Sequence, residues 1–196
     1  MDRPVNPINR IAVYCGSAPG DDPRFAEAAL DLARTMVERK IDLVYGGGRL
    51  GLMGIVADTV LDGGGEVHGV IPQSLVDKEV AHTGLTELYT VTTMHERKAR
   101  MTALCDAFIC LPGGIGTLDE LFEAWTWNAL GYHKKPFALL NVAGFWDPFV
   151  EMMRHVSRSG FLSPQRLDQM IVGSTPAEVI EKLDSAASAA TQGMVW

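Results

Sequence analysis

Cysteine, long apolar runs and basic charge are all scarce in this sequence, and each scarcity excludes a class of protein. The 196 residues contain three cysteines (Cys15, Cys105 and Cys110), which form no C-x-x-C pair and leave an odd one over. Since no signal-peptide-like apolar region lies near the start, we expect reduced cysteines in a cytoplasmic protein. No apolar run approaches the roughly 18 residues of a membrane span, so we expect no membrane association.

The net charge is −7, which argues against a general nucleic-acid-binding protein because no basic surplus exists to neutralise phosphates. A small anionic ligand held by local positive groups is still compatible with this charge. Hydrophobic residues make up 47% and charged residues 21%, as in an ordinary globular domain of this length. No cluster of His, Cys and carboxylates with metal-ligand spacing is apparent, so we expect no metal.

Short apolar segments and helix-compatible segments alternate along the chain. The predicted strands are residues 10–15, 41–45, 66–71, 85–91, 107–111 and 136–141. Helix starts are predicted at Asp22, Thr93, Asp147 and Thr175, from N-cap residues followed by proline or by a glutamate three residues on. This alternation predicts an α/β, single-domain, Rossmann-like three-layer fold, with a mostly parallel sheet and helices on both faces. The domain is expected to span 10–183, with flexible tails at 1–9 and 184–196.

One glycine-rich stretch, Leu111-Pro112-Gly113-Gly114-Ile115-Gly116-Thr117-Leu118-Asp119-Glu120, follows the predicted strand 107–111 and opens a helix near Thr117. Its glycines leave backbone N–H groups accessible, and the helix start adds a positive dipole end, which together favour a bound phosphate or carboxylate. Glu120 would lie one turn into the helix, close to such an anion. Thr117-x-x-Glu120 also has capping-box spacing, so Glu120 can be read as a catalytic group, as a capping group, or as both.

A second glycine-rich loop, Gly46-Gly47-Gly48-Arg49-Leu50-Gly51, satisfies G-x-G-x-x-G between a strand and a helix. That pattern is typical of dinucleotide-binding folds. The next strand should then end in a carboxylate that binds the ribose, but it ends in Val70-Ile71-Pro72. The NAD-dependent oxidoreductase interpretation is therefore weakened.

Three cations, Arg97, Lys98 and Arg100, crowd the first two turns of the helix that is predicted to begin at Thr93. The helix dipole disfavours cations there. Either these side chains face a bound anion, or they form a solvated basic surface. The loops after Cys15, Tyr45 and Leu111 and the Thr93 helix start all fall at the carboxyl ends of predicted strands, where ligands of parallel sheets bind.

Three motifs in order resemble the LOG (Lonely Guy) family of phosphoribohydrolases. They are Tyr45-Gly46-Gly47-Gly48 with Gly51-Leu52-Met53-Gly54, Met94-His95-x-Arg97-Lys98, and Pro112-Gly113-Gly114-x-Gly116-Thr117-x-x-Glu120. The resemblance covers residues 10 to 183. It implies hydrolysis of the N-glycosidic bond of nucleoside 5′-monophosphates, typically N6-modified adenosine monophosphates and in some members AMP itself, with no cofactor.

The resemblance also implies roles for particular residues and a state of assembly. Arg97 and Glu120 are implied as the catalytic pair. The implied substrate-binding residues are Glu79, Met94, Arg97, Lys98, Gly113, Gly114, Ile115, Gly116, Thr117 and Glu120. A homodimer or larger homo-oligomer is implied, and the apolar helix from Leu121 to Tyr132 would suit its interface.

Two alternatives from other classes stay open on the sequence. A non-catalytic nucleotide-binding module on the same fold would bind AMP without releasing its base. The family has also carried a lysine decarboxylase label, although no recognisable pyridoxal-lysine setting surrounds any of the six lysines.

Overall fold

A parallel sheet is the centre of the protein in a computed structural model that describes residues 8–76 and 81–192. The strands are β1 (Arg10–Tyr14), β2 (Asp42–Tyr45), β3 (Val67–Pro72), β4 (Glu87–Val91), β5 (Ala107–Cys110), β6 (Phe137–Leu140) and β7 (Met170–Gly173). The helices are α1 (Pro23–Glu38), α2 (Gly51–Asp62), α3 (Gln73–Val76), α4 (Met94–Leu104), α5 (Ile115–Ala129), α6 (Asp147–Arg158), α7 (Pro164–Leu167) and α8 (Pro176–Gln192), with a 3₁₀ turn at Val142–Gly144.

The strand order across the sheet is β4-β3-β2-β1-β5-β6-β7, and every neighbouring pair is parallel. The chain builds outward from β1 to β4, then crosses back through α4 to place β5 on the other side of β1. The loops that follow β1 and β5 therefore leave the sheet in opposite directions. Such a divergence opens a crevice at the carboxyl ends of the strands.

Both faces of the sheet are covered by helices, as the alternating pattern predicted. Ile11 and Val13 of β1 pack into a core layer that includes α1, α2 and α8. Ala12 and Tyr14 pack into the opposite layer, with α4, α5 and α6. Strands buried on both faces need apolar residues at consecutive positions, which is why they read as unbroken apolar runs.

Side-chain capping hydrogen bonds support the predicted helix starts at Asp22, Thr93 and Thr175, but not the one at Asp147, where α6 has Trp146 as its N-cap and no side-chain cap. The Asp22 carboxylate accepts from the Arg24 N–H (2.9 Å) at the start of α1. At the start of α4, the Thr93 hydroxyl accepts from the Glu96 N–H (3.1 Å), and the Glu96 carboxylate accepts from the Thr92 N–H (2.8 Å). These side chains satisfy N–H groups that have no acceptor within the helix. They fix the first residue of α4 and therefore the position of Arg97 on that helix.

The structured part of the chain extends past the predicted limits of 10 and 183. Ile8 is fully buried, and the Asn9 N–H donates to the Asp106 carboxylate (2.9 Å). Helix α8 continues to Gln192, and Ala187 packs against the core. The strand β7 and the short helices α3 and α7 were not predicted, because each has only four residues and so little periodicity. Among the described residues, no helix has the length and apolarity needed to cross a membrane.

Candidate active site

The loops after β1, β2 and β5 meet at the carboxyl edge of the sheet. The Gly16 N–H donates to the Pro112 carbonyl (3.0 Å), and the Leu52 N–H donates to the Gly16 carbonyl (3.0 Å). These backbone bonds join the loops after β1 and β5 to each other and to the start of α2. The crevice between β1 and β5 is therefore surrounded by fixed backbone.

A cavity of about 420 Å³ opens at this edge. Its polar part consists of Arg97, Glu120 and the first turn of α5. Its apolar wall consists of Leu50, Met53, Ile71, Leu75 and Ile115. The cavity thus offers charged groups, backbone amides and apolar side chains to a ligand.

Arg97 and Glu120 form a buried ion pair in the cavity. Nη1 of Arg97 lies 3.5 Å from Oε1 of Glu120, and each residue is only 8% exposed. Arg97 also donates from Nε to the Val70 carbonyl (3.1 Å) and from Nη2 to the Gly46 carbonyl (3.1 Å). Backbone carbonyls at β3 and just beyond β2 therefore hold the guanidinium in place, so that it faces Glu120 in one orientation.

Position 46 requires glycine because the Arg97 side chain fills the space that a Cβ atom would occupy. A Cβ atom at position 46 would lie 1.8 Å from Nη2 of Arg97. This close approach gives the first glycine of the Gly46-Gly47-Gly48 motif a role in placing the arginine, rather than in approaching a dinucleotide. The first glycine of the G-x-G-x-x-G pattern is thus explained without a bound NAD.

The Glu120 carboxyl has a strongly altered acidity. Burial raises its pKa from the usual 4.5 to about 7, with smaller increases from Asp119 and Glu123. Arg97 and Lys98 act in the opposite direction, but burial dominates because the charged form loses most of its hydration. A carboxyl that titrates near neutral pH can accept or return a proton during a reaction.

Helix α5 begins earlier than the sequence predicted, and this decides between the capping and catalytic interpretations of Glu120. Its first residue is Ile115 and its N-cap is Gly114, so the predicted start near Thr117 is wrong. Thr117 is the third residue of the helix, and no side chain caps the helix start. The capping-box interpretation of Glu120 fails for this reason. Glu120 lies in the second turn and faces Arg97 instead.

The start of α5 presents backbone N–H groups to the cavity. The N–H groups of the first helical residues, Ile115, Gly116 and Thr117, have no acceptor within the helix. Gly113 lies just before them, and a Cβ there would be 2.1 Å from the Thr117 hydroxyl. The buried Thr117 therefore requires glycine at position 113. The result is a tight turn whose amides can bind an anion.

The remaining predicted substrate residues are placed differently. Lys98 does not line the cavity; its ammonium contacts Asp119 (3.0 Å) and Glu123 (3.1 Å), which lie on α5. Burial alone would lower the pKa of Lys98, but its hydrogen bonds with these two carboxylates outweigh burial and raise it. Met94 is exposed at the start of α4 and does not line the cavity. Glu79 lies outside the residues that the structure describes.

Cys15 lines the cavity, but its thiol is not suited to act as a nucleophile. Burial raises its pKa well above the usual value, and the nearby Glu120 carboxylate raises it further. The thiol therefore stays protonated at neutral pH, and a thiol is a much weaker nucleophile than a thiolate. Cys105 and Cys110 are also free and buried.

The apolar wall is the part of the site that the sequence did not assign. Leu50 and Met53 are three residues apart at the start of α2, and Ile71 lies at the carboxyl end of β3. The signal was present in the helical spacing of the first two and in the strand-end position of the third. Apolar residues at such places usually belong to the core, so the pattern alone does not separate a pocket wall from packing.

Comparison with known proteins shows the family. A family model described as "Possible lysine decarboxylase" matches residues 53–183. The cytokinin riboside 5′-monophosphate phosphoribohydrolase LOG of Oryza sativa subsp. japonica is 49% identical over 189 residues, which cover 96% of this chain and 78% of that protein. A phosphoribohydrolase of the same kind from Arabidopsis thaliana is 48% identical over 163 residues, 83% of this chain and 76% of its own. The chain belongs to the LOG family.

Solved structures confirm the fold of this LOG-family chain. A molybdenum cofactor binding protein from Rippkaea orientalis superposes with a TM-score of 0.67 at 20% identity, covering 90% of this chain and 95% of its own. The molybdenum cofactor carrier protein of Chlamydomonas reinhardtii superposes with a TM-score of 0.68 at 17% identity, covering 91% of this chain and 98% of its own. At these identities the likeness concerns the fold alone.

The decarboxylase description does not fit the cavity of this LOG-family member. Pyridoxal-dependent enzymes hold their cofactor on a lysine as a Schiff base. Among the described residues, no lysine lines the cavity. Its charged groups are the Arg97–Glu120 pair, which cannot form that bond.

Proposed function

We propose that this LOG-family chain hydrolyses the N-glycosidic bond of N6-modified adenosine 5′-monophosphates, releasing the free base and ribose 5-phosphate. The observation that supports this proposal most directly is the buried Glu120 carboxyl, which lies 3.5 Å from Arg97 and on the helix whose first amides line the cavity. The phosphoribohydrolases to which the chain is 48–49% identical support the same reaction. AMP is a second candidate substrate of the same site.

In this proposal the 5′-phosphate binds at the start of α5. The N–H groups of Ile115, Gly116 and Thr117 and the positive end of the helix dipole supply the attraction. The Arg97 guanidinium adds a full positive charge nearby. A nucleotide anchored there would lie with its ribose over Glu120, since this carboxyl is in the second turn of the same helix.

The chemistry follows from breaking the bond between C1′ of the ribose and the base nitrogen. The bonding electron pair leaves with the base, so positive charge develops on the sugar and negative charge on the base. Ionised Glu120 stabilises the sugar cation and takes a proton from the water whose oxygen attacks C1′. Glu120 then releases that proton to solvent and the departing base takes one up from solvent, so Glu120 is ionised again and the net change is the addition of one water.

Arg97 contributes charge rather than a proton. A guanidinium stays protonated at any working pH, so it does not act as the general acid. Its contacts with the Val70 and Gly46 carbonyls hold it against Glu120. From there it keeps part of the Glu120 population ionised despite burial and stabilises negative charge on the phosphate or the leaving base.

In this proposal the base binds against the apolar wall. Leu50, Met53, Ile71 and Leu75 offer side chains that suit an adenine ring carrying an apolar N6 substituent. A purely polar wall would favour an unmodified amino group. This arrangement supports N6-isopentenyl-AMP over AMP as the better substrate.

The test is to incubate the purified chain with AMP and with N6-isopentenyl-AMP, and to measure free base by chromatography. We expect base release from both, faster from the isopentenyl compound, and loss of release in Glu120→Gln. Tight AMP binding with no base release in the wild type would instead favour the non-catalytic nucleotide-binding module.

We further propose that the chain acts as a homodimer or larger homo-oligomer. Phe122, Leu130 and Tyr132 are exposed by 39%, 64% and 74%, on α5 and the turn that follows it. Exposed aromatic and aliphatic side chains are enriched at subunit interfaces. Light scattering at assay concentration should show more than one chain, and an active monomer would contradict this. A cytoplasmic location stays a prediction from the cysteines.

A further inference from the structure

His68 is a buried side chain that lacks hydrogen-bond partners. It lies near the amino end of β3, is only 4% exposed, and neither ring nitrogen has a hydrogen-bond partner among the described residues. Most buried polar side chains in proteins do have one. An imidazole in this condition is compatible with a ligand that binds a ring nitrogen directly.

Two carboxylates lie beside His68 at the amino edge of the sheet. Nε2 of His68 is 3.4 Å from Oε2 of Glu66, and Asp42 approaches from the neighbouring strand β2. One ligand atom from each of Asp42, Glu66 and His68 can be chosen so that all three lie within 4.8 Å of one another. The sequence hides this cluster because parallel pairing, not spacing along the chain, brings β2 next to β3.

A third carboxylate stands behind the imidazole. Nδ1 of His68 is 3.7 Å from Oε2 of Glu87, the first residue of β4. The Tyr89 hydroxyl donates to the same Glu87 oxygen (2.5 Å) and so fixes its position. Metal-binding histidines usually donate their second ring N–H to a carboxylate, which orients the ring. At 3.7 Å Glu87 does not accept such a bond, but a small shift of the ring toward it would form one.

The charge of the cluster also favours a cation. Arg10 lies 3.7 Å from Asp42 and 3.9 Å from Glu66, too far for hydrogen bonds. The single positive charge of Arg10 therefore does not balance the three nearby carboxylates. Arg10 is about one-third exposed, so its side chain can turn into solvent when a metal ion arrives.

We propose that Asp42, Glu66 and His68 bind a divalent cation of the Zn²⁺ type at the amino edge of the sheet, opposite the proposed catalytic cavity. Imidazole with carboxylates suits Zn²⁺, whereas Mg²⁺ and Ca²⁺ prefer oxygen ligands alone. Zinc bonds of roughly 2.0–2.2 Å require the three ligand atoms to draw together. Glu66 is half exposed and can make that movement. The ion would join β2 to β3 and stabilise the folded chain without taking part in base release.

The experiment uses the full chain, without an affinity tag and stripped with EDTA. Titration calorimetry with Zn²⁺ should show one equivalent bound, and thermal unfolding should move to higher temperature with Zn²⁺ but not with Mg²⁺ or Ca²⁺. Asp42→Asn and His68→Gln should each weaken Zn²⁺ binding by roughly 100-fold or more, since each removes a ligand. Arg10→Gln should strengthen it, since it removes the competing cation.

His155→Gln is the matched control, because His155 is an exposed histidine on α6 and should leave the affinity unchanged. If His68→Gln fails to fold, Glu66→Gln decides, because Glu66 is exposed enough to be replaced without disturbing the core. Zn²⁺ affinity that Glu66→Gln leaves unchanged would place the ion elsewhere and overturn the proposal. Equal binding of Mg²⁺ would overturn the role of His68.

Discussion

Arg97 occupies the volume that a side chain at position 46 would need. Its Nη2 donates to the Gly46 carbonyl at 3.1 Å, and a Cβ at Gly46 would lie 1.8 Å from that nitrogen. The same guanidinium faces Glu120 at 3.5 Å. A glycine in the loop after β2, an arginine on α4 and a glutamate on α5 are thus coupled through one contact.

Gly46→Ala should therefore reduce activity in a protein that still folds. The added methyl displaces the Arg97 guanidinium, so the stability lost is that of its contacts with the Gly46 and Val70 carbonyls and with Glu120. The displaced guanidinium no longer faces Glu120, so kcat/KM should fall by about 10²-fold, as for the loss of one electrostatic contact in an active site. Base-release kinetics and thermal unfolding measured side by side check this expectation.

The control for this prediction is the double variant Gly46→Ala with Arg97→Ala. If the glycine acts through the arginine, the double variant should be no less active than Arg97→Ala alone. Additive losses would mean that Gly46 supports activity by another route.

Glu120→Gln keeps the shape of the side chain but removes the group that titrates. We expect kcat to fall by roughly 10²-fold or more while the protein remains folded. Glu181→Gln, an exposed position on α8, is the matched control and should retain full activity. A Glu120→Gln protein that unfolds early yet keeps its activity per folded molecule would contradict a catalytic role.

The raised pKa of Glu120 predicts the pH dependence of the reaction. If the ionised carboxylate acts, kcat/KM for the free enzyme should rise with pH, with a midpoint near the pKa of about 7, and level off above it. Below the midpoint the slope should correspond to one proton. A rate that stays flat between pH 5 and 9 would show that the ionisation of Glu120 does not matter.

The same pKa makes a separate prediction about stability. Between pH 4.5 and about 7 the folded protein holds a proton on Glu120 that the unfolded chain has released. Stability from this group is therefore complete at low pH and declines as pH rises through that window, by on the order of 3 kcal/mol. Glu120→Gln lacks this dependence. Denaturant unfolding should therefore show that the free energy of unfolding of the variant, relative to that of the wild type, is higher at pH 8 than at pH 5.

Much of the fold could be predicted because local signals agreed with one another. Most of the strands from β1 to β6 are apolar runs between turn residues, and Asp22 and Thr93 mark helix starts by their own capping chemistry. The start of α5 was missed because Gly114 caps it without a side chain, whereas Thr117 is a residue type that usually caps. Tertiary packing, not local preference, placed Thr117 inside the helix.

The site could be predicted less completely than the fold. Glycine-rich loops and the residues Arg97 and Glu120 were identified from motifs, and the structure brings them together. The coupling of Arg97 to Gly46 depends on a contact across 51 residues that no spacing reveals. Likewise, Lys98 looked like an anion-binding residue until its two carboxylate partners on α5 were seen.

Lys98→Met tests whether this lysine joins helices or contacts substrate. The ammonium links α4 to Asp119 and Glu123, so its loss should lower the free energy of unfolding by about 1–3 kcal/mol. Lys182→Met is the matched control, since its exposed contacts with Glu178 and the Val172 carbonyl should contribute about 1 kcal/mol or less. Unchanged stability with a KM that rises for AMP but not for adenosine would instead favour direct contact with the phosphate, as the family resemblance implies.

The requirement for the 5′-phosphate tests the central claim most directly. The measurement is the rate of base release from N6-isopentenyl-AMP beside that from N6-isopentenyladenosine, at the same enzyme concentration. The amides at the start of α5 and the Arg97 charge have no partner on a neutral nucleoside. Charge-assisted hydrogen bonds contribute about 1.5–3 kcal/mol each, so we predict a kcat/KM at least about 10³-fold lower for the nucleoside. Part of that loss should appear in kcat, because the anchored phosphate orients the ribose against Glu120. Cleavage of the two compounds at rates within about tenfold of each other would contradict a phosphate site at the start of α5.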